Sequence, residues 1–378
     1  MIHDAKINAR QFGILVALYS IGTTILIIPS GLAAQAKQDA WIAAVLGVAL
    51  GLLLVGLYST LGNLLPTMTL VEMNEYLLGK WVGKAISTTF VFFNLVTAAE
   101  LLYFVGNFLT TQIMPETPME PINIIFACVI IMGVQLGIET LARSAELLFP
   151  LFIFLFFILI IFVSPQIELE RIQPVLEADF KVLLRAAFYF SSVFSIPIVV
   201  LLMVFPVSVN RTKAAQKTFF SGMLIGGIVL IIIIALSILV LGPDTTARQT
   251  YPSYALAKKI NVGKIFTRIE IVMAVMWFIS IFFKVSFYFY AAVVGLAQTL
   301  NLKEYRFLVL PMGIIMIVLS MIVHPNVLHS EEYNKHTWLL FVATFGVFLP
   351  LLLLGVAVIR KKGKASPEQE MGSREEQE

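Results

Sequence analysis

A single lysine, Lys284, stands in a run that is otherwise apolar, aromatic and small, FISIFFKVSFYFY, residues 278 to 290. Read as part of a helix over 266–298, with a rise of 1.5 Å per residue, it lies about 20 Å from either end, while a lysine side chain reaches only about 6 Å. Snorkelling to a membrane surface is therefore ruled out, and the ammonium must face protein or water. Buried in hydrocarbon it costs several kcal/mol unless paired, hydrated or deprotonated, which makes it a functional candidate. Glu100, near the centre of LVTAAELLYFVGN (95–107), is a candidate partner. One reading is an ion pair that only locks two helices. The other is a ligand cavity in which one or both charges replace a bound coupling cation or contact a ligand ammonium or carboxylate.

Two further stretches, SIGTTILIIPS (20–30) and YFSSVFSIPIVV (189–200), put small residues and a proline inside apolar helices. Such interruptions free backbone groups that lipid cannot satisfy. The plainer readings are close helix packing at Gly22 and an ordinary kink at Pro197. Other polar features rank lower. Glu139, Arg143 and Glu146 read as a solvated turn cluster. His324, His329 and His336, with Glu331 and Glu332 between them, fall in a loop at spacings that match no strong zinc pattern, so no metal site is expected. There is no phosphate-cradling glycine loop and no nucleophile elbow, so neither an enzyme nor a cofactor is expected.

The elements that must position these groups follow from composition. Of 378 residues, 59% are hydrophobic and 13% charged, which is the signature of a polytopic membrane protein. Ten stretches are long and apolar enough to span: 11–35, 40–62, 85–110, 122–139, 146–163, 185–207, 217–242, 266–298, 306–323 and 337–359. The first is too long for the apolar core of a cleaved secretory signal. Lys and Arg near the span ends, among them Lys6, Arg10, Lys80, Lys84, Arg143 and Arg306, favour both termini inside. A cut after the fifth span leaves an odd number per half, so the halves enter from opposite faces and are inverted, with interrupted helices at matching places. The expected organisation is a cytoplasmic N-terminus (1–10), a first five-helix repeat (11–163), an outer loop (164–184), a second five-helix repeat (185–359) and a disordered cytoplasmic tail (360–378). Loops 164–184 and 243–265 are expected to hold short amphipathic interfacial helices, and Leu70 to Leu78 another. The net charge of +3 suggests no nucleic-acid partner, and Cys128, alone inside the fourth span, reads as a small apolar packer.

These residues carry a resemblance. Gly22-Thr23-Thr24 followed by Ile25 to Pro29 resembles the first-span motif of the amino-acid/polyamine/organocation permease superfamily. MPETP (Met114 to Pro118), ELLFP (Glu146 to Pro150), IQPVL (Ile172 to Leu176) and RIEIVMAVMWFISIFFKVSFYFYAA (Arg268 to Ala292) are similar to one branch of it, the B subunits of spore germinant receptors, over roughly residues 8 to 360. The resemblance implies an all-α integral membrane fold, LeuT-like, of ten helices in two inverted repeats with helices 1 and 6 discontinuous. It implies a place in the inner spore membrane and a small nutrient germinant, such as an amino acid, as ligand. It also implies an A subunit and a lipoprotein C subunit as partners. Carried over residue by residue, the ligand site comprises Gly22, Thr23, Thr24, Thr97, Glu100, Ser195, Ile196, Pro197 and Lys284. Span six lacks the glutamate of many relatives, and some relatives carry Thr at the Lys284 position, which points toward an anionic group or a sugar. A proton-coupled transporter of the same fold, with Lys284 alternating between charged and neutral forms, and a nutrient-gated ion conduit are the alternatives.

Overall fold

Asn8 opens the first helix with a reciprocal cap: its side chain accepts from the Gln11 N–H while the Gln11 side chain accepts from the Asn8 N–H. From there a computed structural model describes residues 6–210, 212–259 and 269–360. Residues 1–5 of the expected N-terminus (1–10), loop residues 260–268 and all but the first residue of the expected tail (360–378) lie outside the described residues.

Helix α1 (Ala9–Ile21) stops at Gly22, and α2 (Thr24–Ala36) restarts after Thr23, so the first apolar stretch is two helices. A single turn of 3₁₀ helix leads into α3 (Ala40–Leu64). The short α4 (Leu70–Leu78) carries its own capping box, Thr69 with Glu72, and buries Leu70, Val71, Met73 and Leu77. It is therefore held by protein as well as lying at the edge of the fold. There follow α5 (Lys80–Gln112), α6 (Met119–Leu136) and α7 (Ile138–Val163). In the second half, α8 (Phe180–Phe194) gives way to a 3₁₀ stretch, Ile196–Met203, before α9 (Thr212–Leu241). Two short helices, α10 (Pro243–Arg248) and α11 (Pro252–Lys258), precede α12 (Glu270–Thr299). Then come α13 (Arg306–Ile322), α14 (Val327–His336), bent from it by 102°, and α15 (Trp338–Ala343), which passes through a π-helical turn at Thr344–Phe348 into a last helical stretch over 349–360.

Each of the ten apolar stretches is thus helical, but length and hydropathy alone give eight spanning helices among the described residues, or nine if the bent α13–α14 pair is one. The difference has a physical origin. At 13 residues α1 is about 20 Å long, too short to cross without α2. In turn α2 and α3 run together through the 3₁₀ turn as one stretch of 41 residues.

Packing places α1, α5, α8 and α12 at the centre. Helix α1 lies along α9, where Gly222 and Gly226 leave room for it: a Cβ on Gly222 would fall 2.3 Å from the Gly13 carbonyl oxygen, and one on Gly226 would fall 2.1 Å from Ser20 Oγ. α5 packs on α12, and α3 packs on α8 and α9. The outer faces of α6, α7 and α13 expose Ile125, Phe154, Ile161, Leu310 and Val318, as helices facing hydrocarbon should. Cys128, read from sequence as a small apolar packer, is exposed on α6 as well.

The loop helices differ from expectation. α11 is buried against protein: Pro252, Ser253, Tyr254 and Leu256 are buried, with Phe108 of α5 set edge-on to Tyr251 and Tyr254. Within 164–184 the described structure is 3₁₀ turns (Ser164–Gln166 and Leu169–Ile172) up to the start of α8.

Candidate functional site

Two prolines explain where the polar groups of the core go. A proline in a helix removes the N–H that would bond the carbonyl four residues earlier. Pro29 in α2 thereby frees the Ile25 carbonyl, and Ser253 Oγ of α11 donates to it at 2.5 Å. Pro197, after α8, leaves the Val193 carbonyl without that partner, and Lys284 Nζ donates to it at 2.9 Å. The helix ends where sequence proposed an interruption, and a side chain from another helix takes over the backbone's hydrogen bond.

Lys284 also touches the first break. Gly22 has φ +23° and ψ −122°, a conformation that favours glycine, and a Cβ there would lie 2.3 Å from Lys284 Cδ. The lysine therefore runs past the gap between α1 and α2 and ends on the carbonyl at the end of α8. Thr24 Oγ1 approaches the same oxygen at 3.4 Å, and the Tyr19 ring lies 5.7 Å from the ammonium. Other carbonyls around the second break also accept side-chain donors, Pro197 O from Tyr19 Oη (2.9 Å), Ile196 O from Tyr58 Oη (3.1 Å) and Ser192 O from Trp338 Nε1 (3.0 Å), and Tyr58 Oη also reaches Gly346 O (2.6 Å). Every donor comes from a different segment, so the unwound stretch is fixed by α1, α3, α12 and α15 together.

Above Lys284 is a small cavity of about 30 Å³, room for about one water. Thr23, Thr97, Glu100, Val193, Lys284 and Tyr288 line it, with Phe104, Asn334 and Trp338 on the side toward α14. The Thr23 hydroxyl is buried and without a hydrogen-bond partner, whereas the Thr97 hydroxyl turns back to the Phe93 carbonyl of its own helix. Beyond Phe104, Asn334 and Trp338 a larger vestibule of about 320 Å³ leads to the surface between α2, α10 and α14, with Arg248, Gln249, Glu331 and Lys335 at its mouth. At its wall Asn107 donates to Tyr251 Oη at 2.7 Å, and burial pushes the Tyr251 phenol up to about 12, so it stays neutral.

The structure brings together Thr23, Thr97, Glu100 and Lys284 around the cavity, with Gly22 and Thr24 against the lysine. Ser195, Ile196 and Pro197 are not among its lining residues: Ser195 packs toward Gly51 of α3, and Ile196 toward Gly346. Val193 takes their place, together with Tyr288, one turn after Lys284 on the same helix face.

Glu100 is buried too, but the contact found for it is with His324, whose Nε2 lies 3.5 Å from Oε1, and Lys284 has its own acceptor. His324 itself is buried, and its Nδ1 is 3.1 Å from Nδ1 of the exposed His329. No group of three or more His, Cys, Asp or Glu able to hold a metal occurs among the described residues. At the opposite end of the molecule the supposed solvated cluster is engaged: Glu139 accepts from the Lys6 N–H at 3.0 Å, and Glu146 accepts from Gln11 Nε2 at 3.0 Å with Arg10 3.8 Å away. The Ile7 backbone pairs there with the chain beyond the 3₁₀ stretch, donating to Ser208 O at 2.9 Å and accepting from Asn210 N at 3.0 Å.

A family profile described as "Spore germination protein" matches residues 6–327. Over 369 residues the chain is 31% identical to spore germination protein KB of Bacillus subtilis (strain 168), across 96% of this chain and 97% of that one. It is 25% identical to spore germination protein GerLB of Bacillus cereus, across 95% and 96%. Among solved structures it resembles MhsT in complex with L-phenylalanine (TM-score 0.68, 92% of this chain and 97% of that one) and Mhp1, a nucleobase-cation-symport-1 family transporter, with bromovinylhydantoin bound (TM-score 0.64, 90% and 76%). Identity to each is 13%, so this likeness is one of fold.

Proposed function

Because this chain belongs to the spore germination protein family, and has the fold of membrane solute transporters, we propose that it is the nutrient-sensing B subunit of a spore germinant receptor. A small germinant binds at mid-membrane, in the cavity above Lys284, and triggers germination. The observation that carries the reading is the position of Lys284, which ties the break at Gly22 to the break after Phe194 through one hydrogen bond to Val193 O. A ligand that competes for that ammonium acts on both interrupted helices at once, and so converts occupancy into movement of the two halves.

Ligand class follows from the charges. Glu100 faces His324, which leaves Lys284 held by neutral oxygens and able to exchange the Val193 carbonyl for an anionic ligand group such as a carboxylate. Ligand pockets typically measure about 300 Å³ or more, a size that the vestibule has and the inner cavity lacks. Entry therefore requires Phe104, Asn334 and Trp338 to move apart. In this reading the vestibule opens on the outer face of the inner spore membrane, both termini lie inside, the halves 11–163 and 185–359 are inverted repeats, and an A subunit and a lipoprotein C subunit complete the receptor.

The test is genetic and direct. Spores lacking this chain lose nutrient-triggered germination while vegetative uptake of amino acids stays normal, and the purified chain binds one of a panel of amino acids, sugars and nucleosides. The transporter-like fold favours a second reading, coupled uptake. Sustained accumulation of a labelled amino acid in proteoliposomes holding this chain alone would establish that one instead.

A further inference from the structure

The Glu100 contact has a geometry that a helix-locking ion pair does not need. Its partner His324 is followed by a second imidazole that reaches the surface. His329, exposed on α14, has Nδ1 3.1 Å from Nδ1 of His324; His324, 4% exposed, has Nε2 3.5 Å from Glu100 Oε1; and Glu100, 3% exposed, lines the inner cavity. We propose that His329 and His324 form a proton relay from the α14 face of the protein to the Glu100 carboxylate.

The surroundings leave the imidazoles as the route. The His324 ring is boxed by Tyr103 at 5.1 Å, Tyr333 at 5.6 Å and Phe104 at 6.4 Å, which excludes water from its flanks. The titratable groups around the carboxylate are His324 from the α13–α14 connection, Tyr288 and Lys284 from α12 across the cavity, and Tyr333 from α14; Tyr103 faces His324 from α5. On α14 itself Glu331 pairs with Lys335 at 3.6 Å, and Glu332 is exposed. Of these, the two imidazoles are the groups placed in series between the surface and the carboxylate, and an imidazole relays by taking a proton on one nitrogen while releasing one from the other.

The sequence of transfers balances. His329 enters neutral with its proton on Nδ1 and accepts one from solvent on Nε2. Its Nδ1 proton passes to His324 Nδ1, and the Nε2 proton of His324 passes to Glu100 Oε1. Both rings end neutral in the opposite tautomer, the carboxylate ends as the acid, and one proton has left the solvent. His324 Nε2 is buried without a hydrogen-bond partner, so the last transfer requires the ring or the carboxylate to close the 3.5 Å gap. A charge beside the cavity is thereby set from the α14 surface, which makes the cavity's electrostatics proton-linked whatever it binds.

The experiment needs no nutrient, so its outcome is separate from that of the proposed function. The full chain in lipid nanodiscs is stepped from about pH 8 to about pH 6, across the ordinary imidazole range. Time-resolved infrared spectroscopy follows the protonated-carboxyl carbonyl band that Glu100→Gln removes. The relay requires that this band rise at least tenfold more slowly in His329→Ala and in His324→Gln, with unchanged final amplitude, and that added imidazole restore the rate in His329→Ala. Because His329 is exposed, its variant keeps the test valid if His324→Gln fails to fold. A band that does not respond to the step, or that rises at the wild-type rate in His329→Ala, overturns the proposal.

Discussion

Replacing Lys284 by Met keeps an unbranched chain of nearly the same length and removes the ammonium, so it isolates what the charge does. Two effects on stability oppose each other. The Val193 carbonyl is left with only Thr24 Oγ1 at 3.4 Å, and a buried acceptor deprived of a charged donor costs about 1–3 kcal/mol. Against this, the variant no longer has to desolvate an ammonium that meets no carboxylate, a cost of several kcal/mol in a protein interior. The sum lies within about 2 kcal/mol of zero, because the terms are similar in size. Lys284→Met is therefore expected to reach the membrane at normal abundance, while the link between the two helix breaks is lost. In spores carrying the variant, germination measured by loss of optical density should shift its half-maximal nutrient concentration at least about tenfold, the equivalent of about 1.4 kcal/mol, or fail altogether. Normal abundance with an unchanged nutrient response would refute the reasoning. Disappearance of the variant from the membrane would show instead that the lysine only holds the helices together.

Four other outcomes are expected. Gly22→Ala places a methyl group 2.3 Å from Lys284 Cδ at positive φ, so it should lower the melting temperature of the purified chain by the equivalent of about 2 kcal/mol. Tyr58→Phe removes the hydroxyl that the Ile196 and Gly346 carbonyls share and should cost about 1–3 kcal/mol in the same assay. Ser253→Ala bares the Ile25 carbonyl that Pro29 frees, and should destabilise by a similar amount although Ser253 lies on a short loop helix. In double-mutant cycles on melting, Glu100→Gln with His324→Gln should show coupling of about 0.5 kcal/mol or more, and more than Glu100→Gln with Lys284→Met, which share a cavity but no direct contact.

Much of this site could be read from residue types. The isolation of Lys284 follows from helix length and side-chain reach, and the small residues of SIGTT place the first break at Gly22, where close helix packing was the plainer reading. The second break was legible only in part. The resemblance pointed to Ser195, Ile196 and Pro197, and the chemical effect of the proline falls four residues earlier, on the Val193 carbonyl. That offset is a sequence rule, as is the one-turn spacing that puts Tyr288 beside Lys284. Other parts were out of reach. The pairing of Glu100 with His324 depends on the 102° bend after α13, which folds an apparent loop histidine into the core. The burial of α11 depends on Ser253 meeting a carbonyl on a helix more than two hundred residues away in sequence. Span counting fails for a related reason, since a helix broken at mid-depth passes no length test alone.

The short backbone pairing between Ile7 and Val209 joins the beginning of one interrupted span to the far end of the other. The two broken elements are thus yoked at their lower ends by main-chain bonds, as Lys284 yokes them at their middles. Any tilt of one would have to carry the other with it or break those two main-chain bonds.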